Sequence, residues 1–265
     1  MKARCLHSIS MVMMLGFFVF LSCAASSAVA ADNAASSKAV PGTIADTWVM
    51  WPKAGQAKAF EAALKQHAAW RKNAGEGFIW SIYQPIVGED LTFYVIRSGE
   101  HQWKDFDANT AWETKAKSGD TFDQQVGPYL ERVEHYFSET DTDHSHWIDD
   151  KDYRYFSVTS FATKSGTHAD RTDALNKIQK AVIEEKWPYP YEISNGVGGR
   201  EPLMIVIPMK TYADMADPNP SIMKVLSKSL GSDAAATAVM RQFGSSVEQA
   251  RTTIYQYRPD LSTPK

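Results

Sequence analysis

Hydrophobic and polar positions along this chain change period several times, and each change predicts an element. Thr47-Trp48-Val49-Met50-Trp51 is a β-branched and aromatic run closed by Pro52, the pattern of a strand. From Lys53 to Asn73 the spacing becomes helical. Phe60, Ala63, Leu64, His67, Trp70 and Arg71 share one face, and Gly75 is placed to end the helix. Phe78–Ile96 returns to period two in two runs separated by Gly88-Glu89-Asp90, which predicts a hairpin. Counted by parity, Ser81, Tyr83, Thr92 and Tyr94 share one mixed face, while Phe78, Trp80, Leu91, Phe93 and Val95 form the apolar one. His101–Lys117 reads as a helix and Asp120–Leu130 as a second short one, broken at Gly127-Pro128. Glu131–Glu139 alternates again and predicts a closing strand.

The same succession then recurs. Sliding the sequence by 111 (164 − 53) places Lys53 on Lys164, Gly55 on Gly166, Ala63-Leu64 on Ala174-Leu175 and Ile82 on Ile193. Gly88 falls on Gly199, and Val95-Ile96 on Val206-Ile207, all without a gap. The identities are sparse, so the repeated order of elements carries the inference. Tyr155–Phe161 matches the first strand and Thr167–Glu185 the first helix. Pro188–Asn195 and Leu203–Met209 match the hairpin, turning at Gly196-Val197-Gly198-Gly199. Ser221–Leu230 and Asp233–Phe243 match the helical pair, and Arg251–Arg258 the closing strand. The expected organisation is repeat one at 44–139, an acidic linker at 140–152 (TDTDHSHWIDDKD, the most polar stretch of the mature chain) and repeat two at 153–265. Expressed alone, a single half should aggregate or self-pair, because one sheet face would stay uncovered.

The N-terminus changes the picture of where the chain works. Lys2 and Arg4 precede the apolar run Met11–Leu21, and Ala28-Val29-Ala30 fits the small-x-small cleavage pattern. Residues 1–30 therefore read as a secretory signal and 31–43 as a disordered lead-in, with periplasmic or secreted export expected. Both cysteines, Cys5 and Cys23, fall inside that signal. The mature chain would then hold no disulfide and no thiolate chemistry, unless Cys23 carries a lipid. Losing Lys2 and Arg4 moves the formal charge from −3 to −5 (−3 − 2). An acidic chain without a basic run argues against nucleic acid and anionic membrane surfaces as partners, and no membrane span follows the signal. A monomer or weak oligomer is expected.

The order strand–helix–strand–strand–helix–strand is the ferredoxin-like plan. With its split second helix, each half resembles a unit of the dimeric α+β barrel superfamily, which includes antibiotic-biosynthesis-monooxygenase-like and NIPSNAP-like domains. Two units in one chain look like the fused version found in chlorite-dismutase-like and dye-decolourising-peroxidase-like proteins. The resemblance implies an α+β fold of two tandem ferredoxin-like repeats with facing antiparallel sheets and helices outside. It does not by itself imply a chemistry.

Haem is carried by tandem relatives, with a proximal histidine expected late in the second half. No histidine lies between Ala169 and Lys265, so no cofactor is expected, haem on a tyrosine or a first-half histidine being the alternative. His144 and His146 with Asp141 and Asp143 could ligate a metal, but no distant partner of matching kind is identifiable, and a solvated linker is the preferred reading. By the repeat alignment His67 stands where the sister helix has Ile178, and Arg71 where it has Val182. A hydrogen-bonded core histidine is the commoner explanation, a catalytic base the other. His101 reads as structural. The mixed hairpin face suggests a small-molecule site between the sheets, with Tyr83, Tyr94, Ser81, Thr92 and Glu192 as its candidate ligand-binding residues. The expected function is binding of a small aromatic or apolar molecule there. A metal-free oxygenase or isomerase and a protein-interaction module stand as alternatives.

Overall fold

The computed structural model describes residues 42–150, 152–198 and 203–264. The expected signal and nearly all of the lead-in (1–41), and part of the second hairpin's expected turn (199–202), lie outside the described residues. The first repeat runs β1 (Ile44–Pro52), α1 (Ala57–Asn73), β2 (Ser81–Val87), β3 (Tyr94–His101), α2 (Trp103–Ala116), α3 (Ser118–Gln125) and β4 (Leu130–Thr140). The second runs β5 (Tyr155–Thr163), α4 (His168–Glu184), β6 (Glu192–Val197), β7 (Leu203–Met209), α5 (Ile222–Leu230), α6 (Asp233–Ser245) and β8 (Val247–Tyr257). The offset of 111 found in the sequence carries β1 onto β5 and α1 onto α4 at both of their ends.

Each repeat forms an antiparallel sheet, β4-β1-β3-β2 in the first and β6-β7-β5-β8 in the second. Joints between β2 and β8 and between β4 and β6 close the two into one eight-stranded barrel. Closure answers the edge problem, because β2 and β4 would otherwise present rows of unpaired backbone groups. The fold is thus α+β, with the two ferredoxin-like sheets facing each other as the resemblance implies.

Alternation along the strands divides the molecule into an interior and two outer layers. Thr47, Tyr83, Val95, Arg97, Tyr136, Phe156, Glu192, Val206 and Tyr255 project into the barrel. Residues of opposite parity pack under the helices in two separate cores. One joins Phe60, Leu64, Trp80, Ile82, Tyr94 and Ile96. The other joins Leu175, Val182, Ile193, Leu203, Leu226 and Val239. The chain end returns to the first core. Leu261 is buried there, the Trp80 amide donates to Thr263 Oγ1 at 2.9 Å, and the Ile82 amide donates to Ser262 Oγ at 2.9 Å.

Two sequence expectations need correction. The first is the parity of the hairpin. Ile82 pairs with Ile96 and Tyr83 with Val95, so Tyr83 and Tyr94 occupy opposite faces. Residues 91–93 belong to a loop held by Asp90, whose Oδ1 accepts from the Thr92 amide at 2.8 Å, and β3 starts only at Tyr94. Parity cannot be counted through a loop, and one residue of slip exchanges the faces. The second concerns the connecting segment, of which residues 141–146 are docked rather than solvated. The Asp141 amide donates to Ile193 O at 2.8 Å, and His146 bridges to Tyr191. His144 is buried between Asp141 Oδ2 (2.7 Å) and Asn176 Oδ1 (2.9 Å). Burial opposes its charge, but those two hydrogen bonds outweigh it and raise its pKa.

Candidate functional site

The two outer layers are built on one plan yet filled differently. In the second repeat α5 buries Val225 and Leu226, and α6 buries Ala236 and Val239, against α4 and the sheet. In the first repeat α2 buries no residue fully and α3 buries only Ser118. Beneath them lies a cavity of about 550 Å³, between the outer face of the first sheet and α1, α2 and α3. A volume in this range suits a small organic ligand.

Trp48, Trp80, Phe106, Phe122 and Phe137 supply its aromatic walls, while Asn109, Thr110 and Thr114 of α2 border its rim. Two of its polar residues, His67 and Arg71, stand where the sister helix has Ile178 and Val182. His67 is only 4% exposed. Its Nδ1 meets Gln125 Oε1 at 3.2 Å, which makes Nδ1 the protonated nitrogen, since the amide oxygen can only accept. Nε2 is then a buried lone pair, and no group among the described residues partners it. Burial lowers the pKa of this ring to about 4; the bond to Gln125 works the other way, and the Arg71 charge adds to the depression. The imidazole is therefore neutral near pH 7.

Arg71 lies one turn further along α1. It donates to Glu76 through Nε (2.6 Å) and Nη2, and to Glu113 of α2 at 3.1 Å. Its guanidinium sits 5.4 Å from the Trp80 ring centroid and 5.1 Å from that of Trp112, so it ties α2 to α1. Across the cavity, His135 Nε2 meets Asp46 Oδ1 at 2.8 Å, and its ring stacks on Trp48 with centroids 3.9 Å apart. Asp46 is 6% exposed, so its carboxylate orients the imidazole from a desolvated position.

Haem fits this lining poorly. The Nε2 lone pair of His67 has the chemistry of an axial ligand, but the two propionates need cations. Among the described residues, Arg71 is the one Lys or Arg side chain lining the cavity, and it is already paired with Glu76 and Glu113. Placing two further carboxylates there would set like charges together in a partly desolvated space.

The candidates named from sequence separate into three places. Ser81, Tyr83 and Glu192 line a different cavity, of about 340 Å³, inside the barrel. Tyr94 is 3% exposed in the first core, where its hydroxyl donates to Glu61 Oε1 at 2.7 Å. Thr92 lies in the hairpin loop with its hydroxyl on Asp90. Among the described residues, no group of three or more histidines and carboxylates is placed to hold a metal. His101 ends β3, bonded to Ser98 Oγ at 2.7 Å and stacked on Phe78. Asp46 and His135 were missed in the sequence. Their one visible signal was polarity on the helix-facing parity of β1 and β4, where apolar residues belong.

No family model and no curated protein matches the sequence. Solved structures do resemble it. A presumptive monooxygenase of Lactobacillus acidophilus NCFM superposes with a TM-score of 0.53 at 8% identity, over 83% of this chain and 95% of that one. A second presumptive monooxygenase, from Fusobacterium nucleatum, gives 0.52 at 10% identity, over 82% and 93%. A variant of the chlorite dismutase of Candidatus Nitrospira defluvii gives 0.51 at 8% identity, over 83% and 93%. Identities this low establish fold alone. The chain has the dimeric α+β barrel fold, with both ferredoxin-like units in one polypeptide. Among the described residues, no helix is long and apolar enough to cross a membrane.

Proposed function

We propose that this protein is an exported binder of a neutral, planar, hydroxylated aromatic molecule, held in the cavity beneath α1, α2 and α3. One observation carries the reading: the same unit is built twice, and the first copy keeps a hollow under its helices, lined by rings and by buried polar groups, where the second packs Leu226 and Val239. Rings favour a flat guest through stacking and area burial. The unpartnered His67 Nε2 calls for a hydroxyl donor, and the paired charges around Arg71 favour a guest without net charge. Export rests on the basic start, the apolar run and Ala28-Val29-Ala30.

A second reading is favoured by the imidazoles. The burial that keeps His67 neutral makes it a hydrogen-bond acceptor rather than a base, so His135, oriented by Asp46, is the imidazole placed to take a proton from a bound phenol or enol. That is the first step of a metal-free oxygenase or isomerase, and the monooxygenase names among the structural relatives agree with it.

The test is titration with naphthols and hydroxynaphthoquinones, followed by tryptophan fluorescence, since Trp48 and Trp80 line the cavity. Saturable quenching that Ala68→Phe abolishes is expected, because that ring would occupy the hollow. Quenching unchanged in Ala68→Phe, or none at all, would sink the reading. Oxygen uptake or an altered product spectrum separates turnover from binding.

A further inference from the structure

We propose that the barrel interior is a second binding site, independent of the first, for a small aromatic carboxylate that Arg97 holds and that enters together with a proton on Glu192. The cavity there is about 340 Å³ and draws its lining from all eight strands. Arg97 of β3 donates through Nη1 to Thr47 Oγ1 at 3.1 Å and to Ser138 Oγ at 2.9 Å, which fixes the guanidinium plane. Its Nη2 lies 3.6 Å from Glu192 Oε1, which is beyond hydrogen-bond length. The outer edge of the guanidinium is thus loosely paired across the lumen to a residue of the other repeat. A guest carboxylate fits a planar donor edge of this kind bidentately.

The walls explain the remainder of the guest. Tyr83, Phe156 and Tyr257 form an aromatic corner, with Tyr83 in edge contact with Phe156 at 5.2 Å and tilted against Tyr257 at 5.6 Å. A single ring bearing a carboxylate matches that corner and that volume. At the open end stand Trp147 and Tyr153 of the inter-repeat segment, with Trp147 41% exposed although it is a large apolar ring.

The proton follows from charge. Arg97 and Glu192 together are neutral, so an incoming anion leaves one uncompensated negative charge in the lumen unless Glu192 is protonated. The titratable groups facing Glu192 are Arg97 from β3, Tyr83 from β2, Tyr136 from β4, and Tyr255 and Tyr257 from β8. The connecting segment adds Tyr153 and Asp150, and Asp150 is already paired with Lys210. The lumen-lining residues of β1, β5 and β7 add no titratable group. Desolvation raises the Glu192 pKa, partly offset by Arg97 and by a hydrogen bond with Thr140, and an anion bound beside it acts in the same direction as desolvation.

Calorimetric titration of the full chain with benzoate at pH 5.5 and pH 8, in two buffers of different ionisation enthalpy, tests this. Binding should tighten about tenfold at the lower pH, with proton uptake visible as buffer-dependent heat. Glu192→Gln should bind benzoate at pH 8 as tightly as the parent does at pH 5.5, without proton uptake. Arg97→Gln, checked for an intact melting transition, should weaken binding at least about tenfold. Ala68→Phe, which fills the other cavity, should leave benzoate binding unchanged. No saturable binding at either pH, binding that Glu192→Gln leaves pH-dependent, or loss of binding in Ala68→Phe would overturn the proposal.

Discussion

Replacing His67 by leucine isolates what the hollow costs the fold. The folded pKa is lowered from 6.5 to about 4, first by burial. Because it lies below the unfolded value, the unfolded chain takes up the proton first. The stability tied to the neutral ring is complete above pH 6.5 and is lost as the pH falls towards the folded value. A displacement of this size corresponds to about 2 kcal/mol of stability lost by pH 5 and about 3 kcal/mol by pH 4. His67→Leu removes the titration and also the unpartnered Nε2, whose burial costs about 1–3 kcal/mol. Against that gain stands the lost bond to Gln125, a half-buried side chain that water can reach. Urea denaturation of parent and variant at pH 7.5 and pH 5 reads the effect. The variant should be as stable as the parent or more so at pH 7.5, and its advantage should widen by about 2 kcal/mol at pH 5. Other histidines titrate alike in both proteins and cancel. An advantage that does not change with pH would show that His67 is charged or solvated in the fold, and the neutral lone pair would have to be abandoned.

The two outer layers should respond oppositely to added volume: Ala236→Phe, in the packed second core, should cost at least about 1–3 kcal/mol, and Ala68→Phe, beside the cavity, less than about 1 kcal/mol by the same denaturation assay. Tyr94→Phe should cost about 0.5–1.5 kcal/mol of stability through the lost bond to Glu61 and leave naphthol and benzoate affinities unchanged, as measured by titration. Removing residues 260–265 should lower the melting temperature clearly, since Leu261 alone contributes about 1.5–3 kcal/mol of burial to the first core. Peptide mapping of protein collected outside the cytoplasm should find a new N-terminus near Ala31; a retained Met1 would remove the case for export.

The fold was legible because it is written twice. One copy of strand, helix and hairpin is ambiguous, whereas Ala63-Leu64 over Ala174-Leu175 and Val95-Ile96 over Val206-Ile207 at a single offset fix the elements against each other. The site was legible only in part. His67 and Arg71 stood out against Ile178 and Val182, but position on a helix face does not reveal whether the space beneath is filled. That depends on α2 and α3, which bury almost nothing although Phe106 and Trp112 look like core residues in the sequence. Tyr94 was misplaced because the Asp90 turn breaks the alternation before β3 begins. Asp46 and His135 lie 89 residues apart and meet only through the β1–β4 pairing, which periodicity cannot show.

Crystallography of the protein purified from its own source tests the hollow most directly. The expected result is density for a flat molecule beneath α2, stacked against Trp48 or Trp80, with a hydroxyl within hydrogen-bond distance of His67 Nε2. A first repeat in which Phe106 and Phe122 close the space as tightly as Leu226 and Val239 close the second, with no guest, would contradict it.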